Sequence, residues 1–122
     1  MLQFVARRQQ YAFAFPAAEN SVVLVDDIAV GRILIDRAAG EYRLIDIALL
    51  PHFRGRSIGT TLIRELIAEA FQNEAIVKLR VKKDNPALRL YERLGFSICD
   101  DEEVDVGMEA RPQSTTQYKP AN

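Results

Sequence analysis

The pattern of hydrophobic and polar positions predicts a helix at the start of the chain. Phe4, Tyr11 and Phe15 can share one face of a helix over residues 2–15, and the polar residues between them lie largely on other faces. Pro16 would end this helix, because proline has no amide hydrogen to donate and its ring clashes with the preceding turn. The first element is therefore predicted to be an amphipathic helix.

Three short strands are predicted next, because β-branched residues cluster between turn residues. Asp26 and Asp27 separate the first two strands and predict a tight hairpin turn, and residues 38–41 separate the second strand from the third. Short turns between successive strands predict an antiparallel meander. The predicted strands cover residues 21–25, 28–36 and 42–49.

The period then changes to that of a helix. Apolar residues at helical spacing predict an amphipathic helix over residues 58–71, and a strand follows over residues 76–81. Asn85 and Pro86 predict the start of a second helix as its N-cap and first-turn proline, and Gly95 predicts its end. Two further strands are predicted over residues 96–99 and 104–108.

This order of elements predicts an α/β domain with a mixed sheet. The strand–helix–strand unit from Tyr42 to Val81 needs a crossover connection, so its two strands are predicted to be parallel. We expect one domain over residues 1–110 and a polar tail over residues 111–122. Ligands on such sheets favour the carboxyl ends of the strands beside the crossover helix, which here means the segment from Leu49 to Thr60.

Composition narrows the class of protein. The 122 residues are 48% hydrophobic and 27% charged, as in one ordinary globular domain. The 16 basic and 17 acidic residues give a net charge of −1, which disfavours a nucleic-acid-binding function. Without a signal peptide or an apolar run of membrane-spanning length, we expect a cytoplasmic protein with no membrane contact. The single cysteine, Cys99, excludes an intramolecular disulfide and is expected to be buried on a strand.

The segment between the third strand and the next helix carries the strongest chemical signal. It contains Arg54, Gly55, Arg56 and Gly59. The first amides of a helix have no partner within the helix, and its positive dipole end attracts anions. Glycine lets a phosphate approach the backbone, and the arginines add positive charge. These residues favour a phosphate site over a plain surface turn, although most glycine-containing loops bind nothing.

A six-residue run in this loop resembles the acetyl-CoA signature Gln/Arg-x-x-Gly-x-Gly/Ala of the GNAT superfamily of N-acetyltransferases. Arg54 and Gly59 match the signature, whereas Ser57 stands where the family usually has its first glycine. A serine there could cap the helix or donate to a phosphate oxygen, and it implies weakened rather than abolished binding. The run consists of Arg54, Gly55, Arg56, Ser57, Ile58 and Gly59.

A second segment also resembles the family, because an asparagine, a tyrosine and a closing Gly-Phe recur there in relatives. In this chain they are Asn85, Tyr91, Gly95 and Phe96. The two motifs have the family's order and separation, and the resemblance covers about residues 2–108. It implies a GNAT-like acyl-CoA N-acyltransferase fold that is shortened at its N-terminus, because relatives usually begin with a strand and a helix before the helix predicted here.

The resemblance implies acetyl-CoA as cosubstrate and direct transfer of its acetyl group to an amine. Tyr91 matches the tyrosine that protonates the leaving thiolate in many relatives, and its alternative is a packing role. Asn85 could both cap its helix and hydrogen-bond the pantetheine arm, although capping alone explains its identity. The strand that ends at Leu49 splays from the next one in relatives, so Leu49 is implied as a backbone ligand. The implied coenzyme ligands are Leu49, Arg54, Gly55, Arg56, Ser57, Ile58, Gly59, Thr60 and Asn85.

Asp46 is the candidate general base beside the expected acetyl position. Alternation along a strand predicts that Asp46 shares a face with Leu44 and Ala48. A carboxylate among apolar strand residues is costly unless paired, so Asp46 is either functional or bonded to a neighbour such as an arginine. His52, the only histidine, follows Pro51 in a loop and is expected to be solvated. No cluster of His, Cys or carboxylate residues has metal-ligand spacing, so no metal is predicted.

Two functions of different classes fit these residues. The first is an N-acetyltransferase acting on an amine of a small molecule or peptide, and the second is a non-catalytic acyl-CoA-binding or protein-interaction module. Tyr91 and most of the loop favour the enzyme, whereas Ser57 and the short N-terminus favour the module. Without a preceding strand, residues 21–25 would form a bare sheet edge, which suggests a homodimer.

Overall fold

A seven-stranded mixed sheet organises the protein, with strand order β1-β2-β3-β4-β5-β7-β6. The computed structural model describes residues 2–8, by their backbone, and residues 18–112. Two helices and a short 3₁₀ turn at Pro51–Phe53 accompany the sheet. The strands are β1 Leu2–Arg8, β2 Glu19–Val25, β3 Ile28–Ala38, β4 Glu41–Leu49, β5 Ile76–Lys82, β6 Ser97–Asp101 and β7 Asp105–Ala110, and the helices are α1 Ile58–Gln72 and α2 Ala87–Arg93.

The predicted α/β class and the elements from β2 onward are confirmed. Strands β2, β3 and β4 form the predicted antiparallel meander, and β4 and β5 are parallel. Asp26 and Asp27 have φ angles of 51° and 68°, and two successive positive φ angles form a hairpin turn whose twist matches the strands it joins.

The helix predicted over residues 2–15 is wrong for the part that is described. Leu2–Arg8 is β1, which pairs antiparallel with β2 from Leu2 opposite Val25 to Arg8 opposite Glu19. The remaining residues of that prediction, with Tyr11, Phe15 and Pro16, lie outside the described residues. Because β1 covers β2, the bare edge expected at residues 21–25 is also wrong. The homodimer stays a prediction that has lost this support.

The hydrophobic core lies between one face of the sheet and both helices. Helix α1 contributes its buried residues at helical spacing, and alternate residues of β5 meet them. The largest fully buried side chains are Val23, Val30, Ile33, Ile35, Leu62, Ile63, Leu66, Val77 and Met108. The opposite face of the sheet carries ion pairs such as Lys78–Glu41 and Arg80–Asp105. Cys99 lies on β6 as expected, but it is exposed, because β6 is an edge strand whose residues are all exposed.

Arg37 of β3 links helix α1 to the antiparallel strands β2 and β3. Its Nε and Nη2 donate to the two carboxylate oxygens of Glu69 on α1, at 2.7 and 3.0 Å, and its Nη1 donates to Glu19 on β2 at 3.1 Å. Its guanidinium also lies 5.8 Å from the centre of the Tyr42 ring. Burial would lower the pKa of Arg37, but the hydrogen bonds and charges of the two glutamates raise it overall. These contacts hold the C-terminal half of α1 against β2, β3 and β4.

Strands β4 and β5 part soon after they begin. They pair at only three positions, and the last pair is Arg43 opposite Lys78. Beyond this point each strand continues separately, β4 along β3 and β5 along β7. We call the resulting gap the split.

Candidate functional site

The loop between β4 and α1 leads into a helix N-terminus whose first amides are free. The first hydrogen bond of the helix joins the Thr61 N–H to the Ser57 carbonyl at 3.0 Å. The N–H groups of Ile58, Gly59 and Thr60 precede that bond and therefore have no partner within the helix. The first turn of α1 contains no acidic residue. Free amides at a helix N-terminus are the groups that bind anions, and the phosphate site in this loop stays a prediction.

Two residues of this loop adopt the left-handed backbone region, Gly55 with φ 74° and Ser57 with φ 63°. Glycine enters that region without steric cost, which gives a physical reason for the glycine in the family signature at the position of Ser57. The Ser57 side chain makes no capping hydrogen bond, so the capping role considered for it is wrong. Its other possible role, donation to a phosphate oxygen, stays a prediction.

The two arginines of the loop have different contacts. Arg54 Nε donates to the carbonyl oxygen of Leu49 at 3.0 Å and so ties the loop to the end of β4. The Arg56 guanidinium lies 5.3 Å from the centre of the Phe53 ring. The Leu50 N–H bonds to the Val30 carbonyl of β3 at 2.8 Å, so by alternation the Leu49 N–H and carbonyl point away from β3, toward the split. This direction is the one that a backbone ligand of the coenzyme would need.

The split holds a cavity of about 300 Å³, which we call the split cavity. It brings together three of the residues singled out in the sequence: Asp46, Asn85 and Tyr91. The Oδ1 atom of Asn85 accepts a hydrogen bond from the Ala87 N–H at 2.9 Å, which confirms that Asn85 caps α2. The amide NH₂ of Asn85 is then the group that can donate to a ligand. The β-strand side of the cavity is lined by Leu44, Ile45, Ile47, Leu79, Arg80, Val81 and Lys82.

Tyr91 is held in the cavity wall by the end of α2. Gly95, with φ 107°, donates its N–H to Glu92 at 3.1 Å, and the Phe96 N–H donates to the Tyr91 carbonyl at 3.0 Å. These two bonds define a Schellman motif, and its usual hydrophobic contact is here an edge-to-face pair of the Tyr91 and Phe96 rings, 5.7 Å between centres. Burial raises the pKa of Tyr91, and the charge of Asp46 raises it further. The phenol therefore keeps its proton at neutral pH.

The face predicted for Asp46 is wrong in one respect. Leu34 and Ile35 of β3 lie opposite Asp46 and Leu44, so Ile45 is an extra residue in β4 and forms a β-bulge. The bulge breaks the alternation and puts Asp46 on the face opposite to Leu44. There Asp46 lies 3.5 Å from Arg32 Nη2, with both side chains about half exposed. The expected arginine partner thus exists, and Asp46 also borders the cavity that contains Tyr91.

The remaining predictions concern His52, a metal site and membrane spans. His52 lies exposed in the 3₁₀ turn, as predicted. Within residues 2–8 and 18–112, no group of three or more His, Cys, Asp or Glu side chains is placed to hold a metal ion. No helix in this described part of the chain has the length and apolarity needed to cross a bilayer.

Sequence reasoning missed Arg32, the bulge at Ile45 and the positioning of Tyr91 by Phe96. The Gly95-Phe96 pair was a usable signal for that last contact, because a glycine after a helix predicts a Schellman motif. Nothing local in the sequence marks Arg32 as a neighbour of Asp46, since the two belong to different strands.

Comparison with known proteins identifies the family. The family model "Acetyltransferase (GNAT) family" matches residues 3–96, and the chain belongs to this family. The chain is 42% identical over 57 residues to the N-alpha-acetyltransferase RimI of Mycobacterium tuberculosis, a match that covers 46% of this chain and 35% of RimI.

Solved structures share the fold. The PaiA N-acetyltransferase of Thermoplasma acidophilum, in complex with coenzyme A, superposes with a TM-score of 0.68 at 23% identity, over 77% of this chain and 60% of PaiA. A GNAT family acetyltransferase of Elizabethkingia anophelis with acetyl-CoA bound gives a TM-score of 0.69 at 13% identity, over 88% of this chain and 97% of the other. The matched part thus spans about a third of RimI and three fifths of PaiA. The sheet with its split is the GNAT acyl-CoA N-acyltransferase fold.

Proposed function

We propose that this protein is an acetyl-CoA-dependent N-acetyltransferase that acetylates a primary amine by direct transfer. The observation that carries the proposal is the split cavity, which brings Tyr91 and Asp46 together. The free amides at the N-terminus of α1 support it. The coenzyme's pyrophosphate would lie on the backbone of the loop from Gly55 to Thr60. Membership of the GNAT family supports acetyl-CoA as the cosubstrate.

The chemistry assigned to the residues is a single displacement. The amine nitrogen forms a bond to the acetyl carbonyl carbon, and the carbon–sulfur bond breaks. The departing sulfur takes a proton from the Tyr91 hydroxyl, and the amine nitrogen gives up a proton to Asp46 or to water. A raised pKa suits the role of Tyr91, because the hydroxyl must still carry its proton when the thiolate leaves.

The acceptor is proposed to be an amine of a small molecule or of a peptide. The similarity to RimI, an N-alpha-acetyltransferase, supports a peptide amino group, although the match covers only about a third of RimI. The proposed setting is the cytoplasm, where acetyl-CoA is available, without nucleic-acid or membrane partners.

The test is release of coenzyme A from acetyl-CoA against a panel of small amines, aminoglycosides and peptides, with Tyr91→Phe as the variant. Removal of the proton donor should lower kcat by about 10²- to 10⁴-fold with little change in coenzyme affinity. Tyr42→Phe is the matched control, because Tyr42 is another buried tyrosine, accepts a hydrogen bond from Asn73 and does not line the split cavity.

Three outcomes would contradict parts of the proposal. A loss of kcat below about threefold in Tyr91→Phe would mean that water protonates the thiolate. Coenzyme binding with no release against any amine would favour the non-catalytic module. Absence of acetyl-CoA and coenzyme A binding at millimolar concentration in calorimetry would defeat the coenzyme assignment itself.

A further inference from the structure

A second cavity lies on the face of the sheet opposite α1. Val22 of β2 is paired with Arg32 of β3, and Arg32 is paired with Ala48 of β4, so these three side chains share one face. The neighbouring Ile33 faces α1 and is completely buried. The cavity measures about 400 Å³, and we call it the apolar groove. It is lined by Val22, Ala29, Gly31, Arg32, Ala48, Leu49 and Leu50.

The apolar groove and the split cavity meet at one ion pair. Arg32 lines the groove, Asp46 lines the split cavity, and the two side chains approach to 3.5 Å. The bulge at Ile45 is what turns Asp46 toward the face that carries the groove. A molecule whose reacting atom lies near Asp46 can therefore extend across the pair into the groove without leaving the protein surface.

The ion pair and the apolar groove beside it favour a ligand that carries both a cation and an apolar group. Arg32 and Asp46 are about half exposed, and pairs of this kind contribute little free energy, so another cation can replace the guanidinium at low cost. Arg32 is the one charged residue among the seven that line the groove, and Leu50 is a large apolar residue that is 53% exposed. Apolar residues in the groove would stabilise a bound ligand whose apolar surface is removed from water on binding.

We propose that the apolar groove binds the group next to the acceptor's amine, and that the acceptor is a primary ammonium compound with an apolar substituent. Its ammonium group takes the place of the Arg32 guanidinium at Asp46, and its substituent fills the space between Val22, Ala48 and Leu50. The ammonium group then loses one proton to water, and the neutral amine enters the transfer step described above. This inference rests on the proposed acetyltransferase function and names its substrate class.

The first test is a series of acceptors that share the amine and differ in the neighbouring group: glycinamide, alaninamide, leucinamide and glutamic acid amide. The apparent kcat/KM should rise from glycinamide to leucinamide by about 10- to 100-fold, because burial of a leucine-sized side chain is worth that much in binding. Glutamic acid amide should be no better than glycinamide. A flat series, or a preference for the acidic member, would overturn the proposal.

Two variants locate the effect in the groove. Ala48→Leu fills the groove from an exposed position and should remove most of the preference for leucinamide, whereas Ala38→Leu makes the same change at the far end of β3, also exposed, and should leave the preference intact. Arg32→Met keeps the aliphatic stem but removes the competing cation, and should lower the KM for leucinamide by about two- to fivefold. A rise in that KM would show that Arg32 supports the acceptor rather than competing with it.

A binding measurement separates this inference from the proposed function. Calorimetry of leucinamide against the protein saturated with coenzyme A needs no turnover. Binding that Ala48→Leu abolishes and Ala38→Leu preserves supports the groove even if no acetyl transfer is found. Transfer to amines without any effect of Ala48→Leu would refute the groove and leave the enzyme intact. A large loss of thermal stability in Ala48→Leu would mean that another part of the chain fills the groove, which also refutes the proposal.

Discussion

Replacement of Ser57 by glycine tests the backbone conformation of the loop from Gly55 to Thr60, which is proposed to bind the coenzyme. Ser57 has φ 63° and ψ 12°, and its side chain makes no capping hydrogen bond, so the substitution removes a Cβ atom and no internal bond. The left-handed region costs a residue other than glycine about 1–2 kcal/mol in the folded state. Glycine also gains freedom in the unfolded chain, which lowers stability by about 0.4–1 kcal/mol. The net change should be a gain of about 0–1.6 kcal/mol in the free energy of unfolding.

The expected effect on coenzyme affinity follows from the same geometry. If the loop binds the pyrophosphate through its amides, Ser57→Gly keeps every donor and should leave the dissociation constant for coenzyme A equal or lower. Denaturant unfolding and calorimetry measure the two quantities. Ser57→Ala is the matched control, because it keeps the Cβ atom and the strained backbone but removes the hydroxyl.

The pair of variants separates strain from direct contact. A gain with glycine and no change with alanine would identify strain as the effect of Ser57. An equal loss of more than about threefold in affinity for both variants, with stability maintained, would show that the hydroxyl is itself a phosphate ligand. That result would refute the reasoning from the backbone.

Three other substitutions test neighbouring parts of the site. Gly31→Ala would bring a Cβ atom to 2.2 Å from the Ala48 carbonyl oxygen and 2.8 Å from a Leu49 methyl group, so it should lower the free energy of unfolding by about 1–3 kcal/mol, as measured in urea. In Gly59→Ala the new Cβ atom meets no atom within 4 Å, so the free energy of unfolding should rise by up to about 1 kcal/mol. A lower free energy of unfolding would contradict this expectation. Asp46→Asn removes a negative charge that disfavours the phenolate, so the pKa of Tyr91 should fall toward its ordinary value. An ultraviolet titration measures this pKa, with Tyr91→Phe as the correction for the other tyrosines. An unchanged pKa would mean that burial alone raises it.

Local signals were enough to predict much of the fold. Helix α1 was predicted within one residue of its end, because its apolar period is long and its partners lie along the same segment. The spacing of apolar residues did not predict the strand over residues 2–8. These residues pair with β2, and this tertiary contact decides their structure because their local hydrophobic period is ambiguous. The exposure of Cys99 likewise depends on β6 being an edge strand, which only the strand order reveals.

The candidate site also contains parts that local sequence predicts and parts that depend on contacts between distant segments. The loop from Gly55 to Thr60 and Tyr91 each lie in a continuous segment whose turns and caps have recognisable residues, so the sequence predicts them. The orientation of Asp46 depends on a bulge that shows no marker in the residues around Ile45. The apolar groove is assembled from β2, β3 and the end of β4, and no single stretch of sequence contains it.

The three-position pairing of β4 with β5 also has a consequence for cooperativity. Strands β1 to β4 form one hydrogen-bonded ladder and β5, β7 and β6 form another, and the two are joined along the sheet only by the pairs from Glu41–Ile76 to Arg43–Lys78. Amide hydrogen exchange should therefore report two units with separate opening free energies. A coenzyme seated between the ladders would contact both, and by mass action it would slow exchange on each side of the gap together. A coenzyme bound in this gap, as proposed, would thus act as a cross-link between two halves of the sheet.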